Sequence, residues 1–140
     1  MKRHYYFDNE QGTAYCFITD GNKTYTGLAQ CHEEDRPFMS ERTGLQIAEC
    51  RAEIAALKNI RDNELLPAYK ALQHLQTNIE TSKYYSPKAY ETRMLRRQVC
   101  IKQNELAAIK QEIATLEQFL NDYIEAKNKL YHQLSQDKKD

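Results

Sequence analysis

The chain has 140 residues, and its 20 lysines and arginines are balanced by 20 aspartates and glutamates. This length predicts one domain over residues 1–140. Because the net charge is zero, no global field attracts a DNA or RNA polymer or a membrane, and any anion site must come from local charge placement. The mean hydropathy of −0.83 indicates a large surface relative to the core, as in an elongated or oligomeric protein.

Targeting and metal signals are weak in this sequence. No stretch approaches the roughly 20 apolar residues of a membrane span, and the N-terminus has no signal-peptide apolar region, so we predict a cytosolic protein that does not contact a membrane.

No C-x-x-C pair occurs among Cys16, Cys31, Cys50 and Cys100. Buried, reduced thiols are therefore expected. Cys31 and His32 form the one adjacent pair of soft ligands, too few for zinc, so neither metal nor cofactor is predicted.

The first 31 residues predict a three-stranded antiparallel β-sheet. The strands cover residues 3–8, 13–19 and 22–30. Asp20-Gly21 is typical of a type I′ hairpin turn, and Gly27 suggests a bulge in the third strand. Because three strands are too few to stand alone, one face is expected to pack on helices or on another copy.

Two long helices are predicted after the sheet, over residues 40–82 and 87–135. Ser40 or Thr43 is the candidate cap of the first helix. Pro67 removes a backbone donor and clashes with the preceding turn, so we expect a kink near Pro67, with a break at residues 65–66 as the alternative. A turn at residues 83–87 reverses the chain. The predicted fold class is α+β, a short sheet followed by a long antiparallel two-helix hairpin.

The second helix carries a coiled-coil-like stripe of apolar residues spaced by three and four. Its members are Leu95, Val99, Leu106, Ile109, Ile113, Leu116, Leu120, Tyr123, Leu130 and Leu134. Lys102 and Lys127 interrupt the stripe, which predicts antiparallel packing on the first helix. Apolar residues off the stripe are expected to be exposed and to be covered by a second copy. These residues are Ile47, Ile54, Leu57, Ile101 and Phe119.

Residues 83–97 form the segment richest in candidate ligand-binding residues. The candidate base-stacking residues are Tyr84, Tyr85 and Tyr90, and the candidate anion-binding residues are Lys88, Arg93, Arg96 and Arg97, with Arg51 on the first helix. Cations at a helix N-terminus oppose the helix dipole, and an anion relieves the repulsion. Because guanidinium groups bind phosphate and tyrosine rings stack on bases, a ligand with both is indicated.

Other interpretations of the same residues stay open. The cations can instead form a solvated face that pairs with Glu49, Glu53, Glu64 and Glu80. A nucleic acid polymer is disfavoured because acids interleave with the cations along the rest of the helix. Catalysis is disfavoured because the four histidines are scattered and no phosphate loop occurs. Lys23, Thr26 and Gly27 are a second candidate nucleotide site, with an ordinary strand as the alternative.

Five segments give the chain a family resemblance: residues 25–32, 40–44, 61–64, 86–91 and 94–98. In these segments, and in the order of sheet and helical hairpin, it resembles the phage Thoeris anti-defence proteins of the first type. The resemblance implies a non-enzymatic sponge in the cytoplasm of the infected host. Such a protein binds, without cleaving, the cyclic ADP-ribose isomer that TIR-domain enzymes make as an alarm signal.

The resemblance also implies partners. Ligand pockets lie between subunits of a homodimer or a higher homo-oligomer, with a hexamer among the assemblies left open. Cyclic oligonucleotides are a second ligand class bound by some members at separate sites. The first competing interpretation is a phage inhibitor that binds a host defence protein, as anti-CRISPR proteins do, since small, charged, helical chains suit that class too. A structural coiled-coil adaptor is the third interpretation.

Overall fold

The computed structural model describes residues 1–32, 35, 40–81 and 89–139. The strands are β1 Lys2–Asp8, β2 Thr13–Asp20 and β3 Lys23–Gln30, and the helices are α1 Glu41–Ile60, α2 Leu66–Thr81 and α3 Ala89–Lys139, with a π-helical turn at Arg61–Leu65. The predicted α+β class is confirmed. The two-helix hairpin is only approximate, because its first arm consists of three helical segments. The predicted turn at residues 83–87 lies outside the described residues.

The contacts of the chain group into two compact units. Met1–Ala56 and Ala114–Asp140 form the first, which we call the sheet unit, and Leu57–Ile113 form the second, which we call the helical unit. Helix α3 continues to Lys139, past the predicted end at residue 135. The single domain expected over residues 1–140 stays a prediction.

Strand β2 lies at the centre of the sheet, between β1 and β3. Because side chains alternate between the faces of a strand, Ala14, Cys16 and Ile18 share one face, where at most 1% of each is exposed. They form a core with Ala48 and Ala52 of α1. The sheet therefore packs on a helix, as its small number of strands requires.

The β2–β3 hairpin has a different turn from the predicted one. Asp20 pairs with Lys23, so Gly21 and Asn22 are the two central residues. Gly21 has φ of 61°, and Asn22 is not among the described residues with positive φ. A positive φ at the first central position alone is the pattern of a type II′ turn, whereas type I′ requires it at both.

Gly27 is the point of closest approach between the sheet and α1. A Cβ atom at this position would overlap the carbonyl oxygen of Ala48 and lie 2.6 Å from the backbone nitrogen of Ala52. The predicted bulge is wrong, because β2 and β3 stay in register from Asp20–Lys23 to Thr13–Gln30. Glycine is required here by space, not by strand geometry.

Helix α1 begins at the predicted cap. The Ser40 hydroxyl accepts a hydrogen bond from the Thr43 backbone N–H at 3.3 Å, which satisfies a free donor of the first turn. Thr43 itself is buried within that turn, with 7% exposed.

The irregularity expected at Pro67 occurs in the turn before it. The Leu66 N–H donates to the Arg61 carbonyl, five residues back, so the backbone is π-helical there. In an α-helix a proline ring clashes with the carbonyl four residues earlier. The wider π-helical turn changes the spacing between the ring and that carbonyl. A break at residues 65–66 is wrong, since α2 starts at Leu66 directly after the π-helical turn.

Helices α1 and α3 run antiparallel in the sheet unit. The Cys50 thiol donates to the Leu116 carbonyl at 3.7 Å, and the Tyr123 hydroxyl donates to Gln46. Stripe residues Leu106, Ile109 and Ile113 of the helical unit and Leu120 of the sheet unit are buried.

The predicted burial of the apolar stripe is wrong at the end of α3. The predicted exposure of the residues off the stripe is wrong at two positions. Leu130 and Leu134 are exposed, 44% and 38% respectively. Ile54 is buried and Ile47 packs against the core of the sheet unit, so neither needs a second copy to cover it. Ile101 and Phe119 are exposed as predicted, at 47% and 60%.

None of the described helices is long and apolar enough to cross a bilayer.

Replacing Gly27 with alanine should destabilise the sheet unit strongly. The added methyl group meets helix backbone, which cannot rotate away as a side chain can, so we expect a loss of about 2–3 kcal/mol in the free energy of unfolding. Urea titration followed by circular dichroism measures it. Thr26→Ala, at the next position and on the opposite face, should cost under about 1 kcal/mol. Equal losses for the two variants would contradict the packing argument.

Candidate functional site

The predicted ligand-binding residues divide between the two units. Arg51, Lys23, Thr26 and Gly27 belong to the sheet unit, and Tyr90, Arg93, Arg96 and Arg97 belong to the helical unit. Tyr84, Tyr85 and Lys88 lie outside the described residues. Each unit therefore has to be assessed for a site of its own.

The helical unit presents an exposed cationic face at the start of α3. Tyr90, Arg93 and Arg97 are spaced by three and four, which places them on one side of the helix. Tyr90 is 64% exposed, and the two arginines are exposed as well. The Arg96 guanidinium lies 3.4 Å from a Glu80 carboxylate oxygen, with both side chains largely in solvent. Such a pair contributes under about 1 kcal/mol and leaves the face accessible.

Two of the acids considered as partners for these cations bind β1 instead. Arg3 contacts Glu49 at 2.8 Å and Glu53 at 2.6 Å, and the Tyr5 hydroxyl donates to Glu49 at 2.6 Å. The hydrogen bond to Glu53 raises the pKa of Arg3, and the one to Glu49 raises the pKa of Tyr5. Arg96 thus pairs with Glu80, as the alternative interpretation of the cations predicted. Glu49 and Glu53 instead connect the edge strand to α1.

The second candidate site does not come together. Gly27 is buried under the α1 backbone, so no space remains for a phosphate to approach it. Thr26 pairs with Phe17 and lies on the opposite face of the sheet. Lys23 is exposed at the hairpin turn. The third strand here is an ordinary strand with a helix packed on it.

The sheet unit contains a cavity of about 170 Å³ that the sequence interpretation did not anticipate. Its α1 wall is formed by Thr43, Gly44, Ile47 and Arg51, and its α3 wall by Ile124, Lys127, Asn128 and Tyr131. Both sets are spaced by three and four, so each comes from one helix face. Strand and connector residues complete the described lining: Phe7, Gly12, Ala29, Gln30, Cys31, His32, Asp35 and Ser40.

The described lining of this cavity includes the cations Arg51 and Lys127. Arg51 donates one hydrogen bond to the Leu28 carbonyl at 2.6 Å, which anchors the guanidinium beside β3. Since a guanidinium has five N–H donors, this bond leaves others for an anion. The Lys127 ammonium lies 5.5 Å from the centroid of the Tyr123 ring, within cation–π range. Among the described residues predicted to bind a ligand, Arg51 lines the cavity.

The cavity also contains a neutral polar group, the Tyr131 hydroxyl. Tyr131 is half-buried and shares a hydrogen bond with Thr43. Burial is the main cause that raises the pKa of Tyr131, with smaller contributions from Cys31 and Asp35 nearby. The hydroxyl is therefore protonated at neutral pH and serves as a neutral hydrogen-bonding group.

Thiol and metal chemistry find little support among these residues. Burial raises the pKa of Cys16 and Cys50, which disfavours the reactive thiolate. None of the four cysteines forms a disulfide. Within the described ranges, no group of three or more His, Cys, Asp or Glu residues is placed to hold a metal ion.

Sequence interpretation missed Lys127, Asn128 and Tyr131 because it followed the leucine stripe. Lys127 was interpreted as an interruption of that stripe, whereas it lies half-buried at the cavity. The spacing of Ile124, Lys127 and Tyr131 is itself helical, and it marks an amphipathic face that turns inward at the end of α3.

Comparison with protein-family models, characterised proteins and solved structures finds no match to this chain. The likeness to Thoeris anti-defence proteins therefore stays a prediction from the five sequence segments.

Replacing Tyr131 with phenylalanine should change how stability depends on alkaline pH. Because the folded-state pKa is raised above the ordinary value of about 10, the unfolded chain loses this proton first as pH increases. The tyrosine's contribution is complete below pH 10 and declines above it. The unfolding free energy should thus fall less steeply above pH 10 in Tyr131→Phe than in the wild type, as urea titrations at several pH values would show. Parallel curves would contradict the burial of this hydroxyl.

Proposed function

We propose that this chain is a phage anti-defence sponge that binds a cyclic ADP-ribose isomer made by TIR-domain enzymes and holds it without cleavage, so that Thoeris immunity is blocked. One observation carries the proposal. The predicted phosphate-binding residue Arg51 lies with Lys127 in a cavity that is also lined by the rings of Phe7 and Tyr131. Cations beside aromatic rings are the chemistry that a nucleotide requires.

Each part of the proposed ligand has a counterpart in this cavity. Arginine forms charge-assisted hydrogen bonds with a pyrophosphate, an aromatic ring stacks on adenine, and Asn128 and Thr43 supply polar groups for ribose hydroxyls. The volume of about 170 Å³ is below the roughly 300 Å³ at which ordinary small-molecule pockets begin. The cavity therefore encloses part of the ligand, and the exposed Arg51 and Asn128 contact the part that extends beyond it.

Sequestration requires tight binding and slow release, and it requires no general acid or base. Once the sponge exceeds the signal in amount, the dissociation rate decides how much signal stays free. A cavity between two packed helices and a sheet is suited to slow release, because its walls are held by the core of the sheet unit. The site of action in this proposal is the cytoplasm of the infected host.

Assembly as a homodimer or a higher oligomer, up to a hexamer, belongs to the same proposal. Ile101 and Phe119 are exposed apolar residues that a second copy would cover. Cyclic oligonucleotides are the second ligand class proposed, and the exposed arginines of the helical unit are the candidates to bind them. Light scattering at micromolar protein tests the assembly, and a monomer would contradict it.

One observation favours a second candidate function, inhibition of a host protein. The sheet face opposite α1 carries Tyr6, Tyr15, Phe17 and Leu28. The Tyr15 and Phe17 rings are stacked at 6.1 Å, and Tyr6 and Leu28 are 60% and 46% exposed. Aromatic surface of this kind is typical of protein interfaces.

A capture experiment separates these functions. The purified chain is incubated with a mixture of nucleotide signals, washed and heat-denatured, and the released compounds are analysed by mass spectrometry. We expect an intact cyclic ADP-ribose isomer. Hydrolysed product would indicate an enzyme instead, and release of no nucleotide would favour the protein-binding function.

Arg51→Ala should lower signal capture at limiting protein by at least about tenfold, since it removes a charge-assisted hydrogen bond. Loss of its bond to Leu28 should shift the unfolding midpoint by only a few degrees, as roughly 1 kcal/mol is involved. Lys110→Ala, which removes an exposed cation elsewhere on α3, is the matched control. Capture by Arg51→Ala equal to that of the control would rule out the cavity as the site.

Arg97→Ala tests the cationic face of the helical unit separately. We expect lower capture of the cyclic oligonucleotide signals with almost no change in thermal stability, because the side chain is exposed. The same capture assay and a thermal unfolding scan measure both effects. If Arg97→Ala captures as much as Lys110→Ala, the cationic face does not bind the signal. The proposal for the cavity is unaffected by that result.

A further inference from the structure

Three side chains of α3 form a row that ends at the cavity of the sheet unit. Phe119, Tyr123 and Lys127 are spaced by four residues, so they lie on one side of the helix. The Phe119 and Tyr123 rings are stacked with their centroids 6.0 Å apart, and the Lys127 ammonium lies over the Tyr123 ring, 5.5 Å from its centroid. Long helical side chains point toward the helix N-terminus, which accounts for the contact of each member with the one before it.

Tyr123 is also connected to α1. Its hydroxyl donates a hydrogen bond to Gln46, and the residue is half-buried. The polar end of this side chain is thus held by one helix and its ring by a neighbour on the other. A lysine stem, in contrast, is flexible along four carbons. Tyr123 therefore provides a fixed surface on which the mobile end of Lys127 rests.

The Lys127 charge is not paired with an acid in the described part of the chain. The residue is half-buried and lines the cavity, yet no ion pair to it is found among residues 1–32, 35, 40–81 and 89–139. The negative face of an aromatic ring attracts an ammonium group but leaves its net charge in place. Since an ammonium has three N–H donors, donors remain for an anion at the cavity.

We propose that Tyr123 is a positioning residue for ligand binding, whose ring holds the Lys127 ammonium at the cavity, where the ammonium binds the anionic group of the ligand. The inference deepens the proposed function and rests on it. An unrestrained lysine loses rotational freedom when it binds an anion, and that loss lowers affinity. A lysine already held by a ring loses less, so the ring raises affinity without contacting the ligand.

Inorganic pyrophosphate is the probe, because it carries the anionic group without a base or a sugar. Isothermal titration calorimetry with the full chain at low salt should show binding. Tyr123→Leu should weaken it by about fivefold to tenfold, the range for loss of a partly desolvated cation–π contact. Tyr123→Phe keeps the ring, so this conservative variant should bind within about twofold of the wild type. Equal affinities of the two variants, or no binding by the wild type, would overturn the inference.

Tyr69→Leu is the matched control for this comparison. It makes the same replacement at a half-buried tyrosine of the helical unit, where the hydroxyl accepts a hydrogen bond from Gln73. Its affinity for pyrophosphate should equal that of the wild type. A loss as large as that of Tyr123→Leu would overturn the inference, because the effect would then not depend on the contact with Lys127.

A double-mutant cycle separates positioning from a merely structural role. Lys127→Met removes the charge and keeps an unbranched stem, so it should weaken pyrophosphate binding. In that background Tyr123→Leu should cause no further loss, because the ring acts only through the ammonium. The same fold loss in both backgrounds would overturn the inference, as would full affinity of Lys127→Met.

Proton NMR of the wild-type chain tests the contact even if Tyr123→Leu does not fold. The ε-methylene protons of Lys127 should resonate upfield of those of the exposed Lys110, because the end of the Lys127 side chain lies over a ring face. Addition of pyrophosphate should shift the Lys127 signals and leave those of Lys110 in place. Lys127 signals at the position of Lys110, or unmoved by pyrophosphate, would overturn the inference.

Failure of this inference is distinguishable from failure of the proposed function. Capture of an intact cyclic signal, together with equal pyrophosphate affinities of Tyr123→Leu and Tyr123→Phe, would leave the sponge proposal standing and overturn the role of Tyr123. Coupling of Tyr123 and Lys127 in pyrophosphate binding, without capture of any cyclic signal, would overturn the sponge proposal and support the positioning role.

Discussion

The close approach of β3 to α1 at Gly27 is the contact on which the sheet unit depends. With no side chain at Gly27, and with only methyl groups at Ala48 and Ala52, the strand and helix backbones meet directly. This proximity closes the core around Cys16 and Ile18, which are the largest fully buried side chains of the chain's described part. Small residues thus define the packing distance, and larger ones fill what remains.

The cavity is a consequence of the same packing. The alanine face of α1 is pressed on the sheet, and the adjacent face, with Thr43, Ile47 and Arg51, lines the cavity. Near the end of α3 the inward positions carry Lys127 and Tyr131 in place of leucine. Polar and aromatic side chains do not close into a dry interface as leucines do, because their polar atoms must keep hydrogen-bond partners or water. The cavity therefore remains near the end of α3, where polar and aromatic residues replace the leucines of the stripe.

Much of the fold follows from local sequence signals, and the exceptions have identifiable physical causes. The β-branched and aromatic residues of 13–19, the Ser40 cap and the helix-forming composition predict the order of elements. The type of turn at Gly21 was predicted wrongly because Asp-Gly was placed at its centre, whereas strand pairing shifts the centre to Gly21-Asn22. Pro67 predicts a disturbance, but local sequence does not distinguish a break from a π-helical turn, which depends on how the flanking helices are held.

The candidate site was harder to predict, since it is made by residues far apart in sequence. Chemistry alone favoured the cation-rich segment of residues 83–97, and its described arginines are exposed on a helix face. Arg51 was predicted from its charge, and the structure adds its position at the cavity, which charge alone cannot show. Lys127 was interpreted only as an interruption of the apolar stripe. A charged residue at helical spacing from inward-facing neighbours is better interpreted as lining a polar cavity, because burying its charge in an apolar interface would cost free energy that packing does not return.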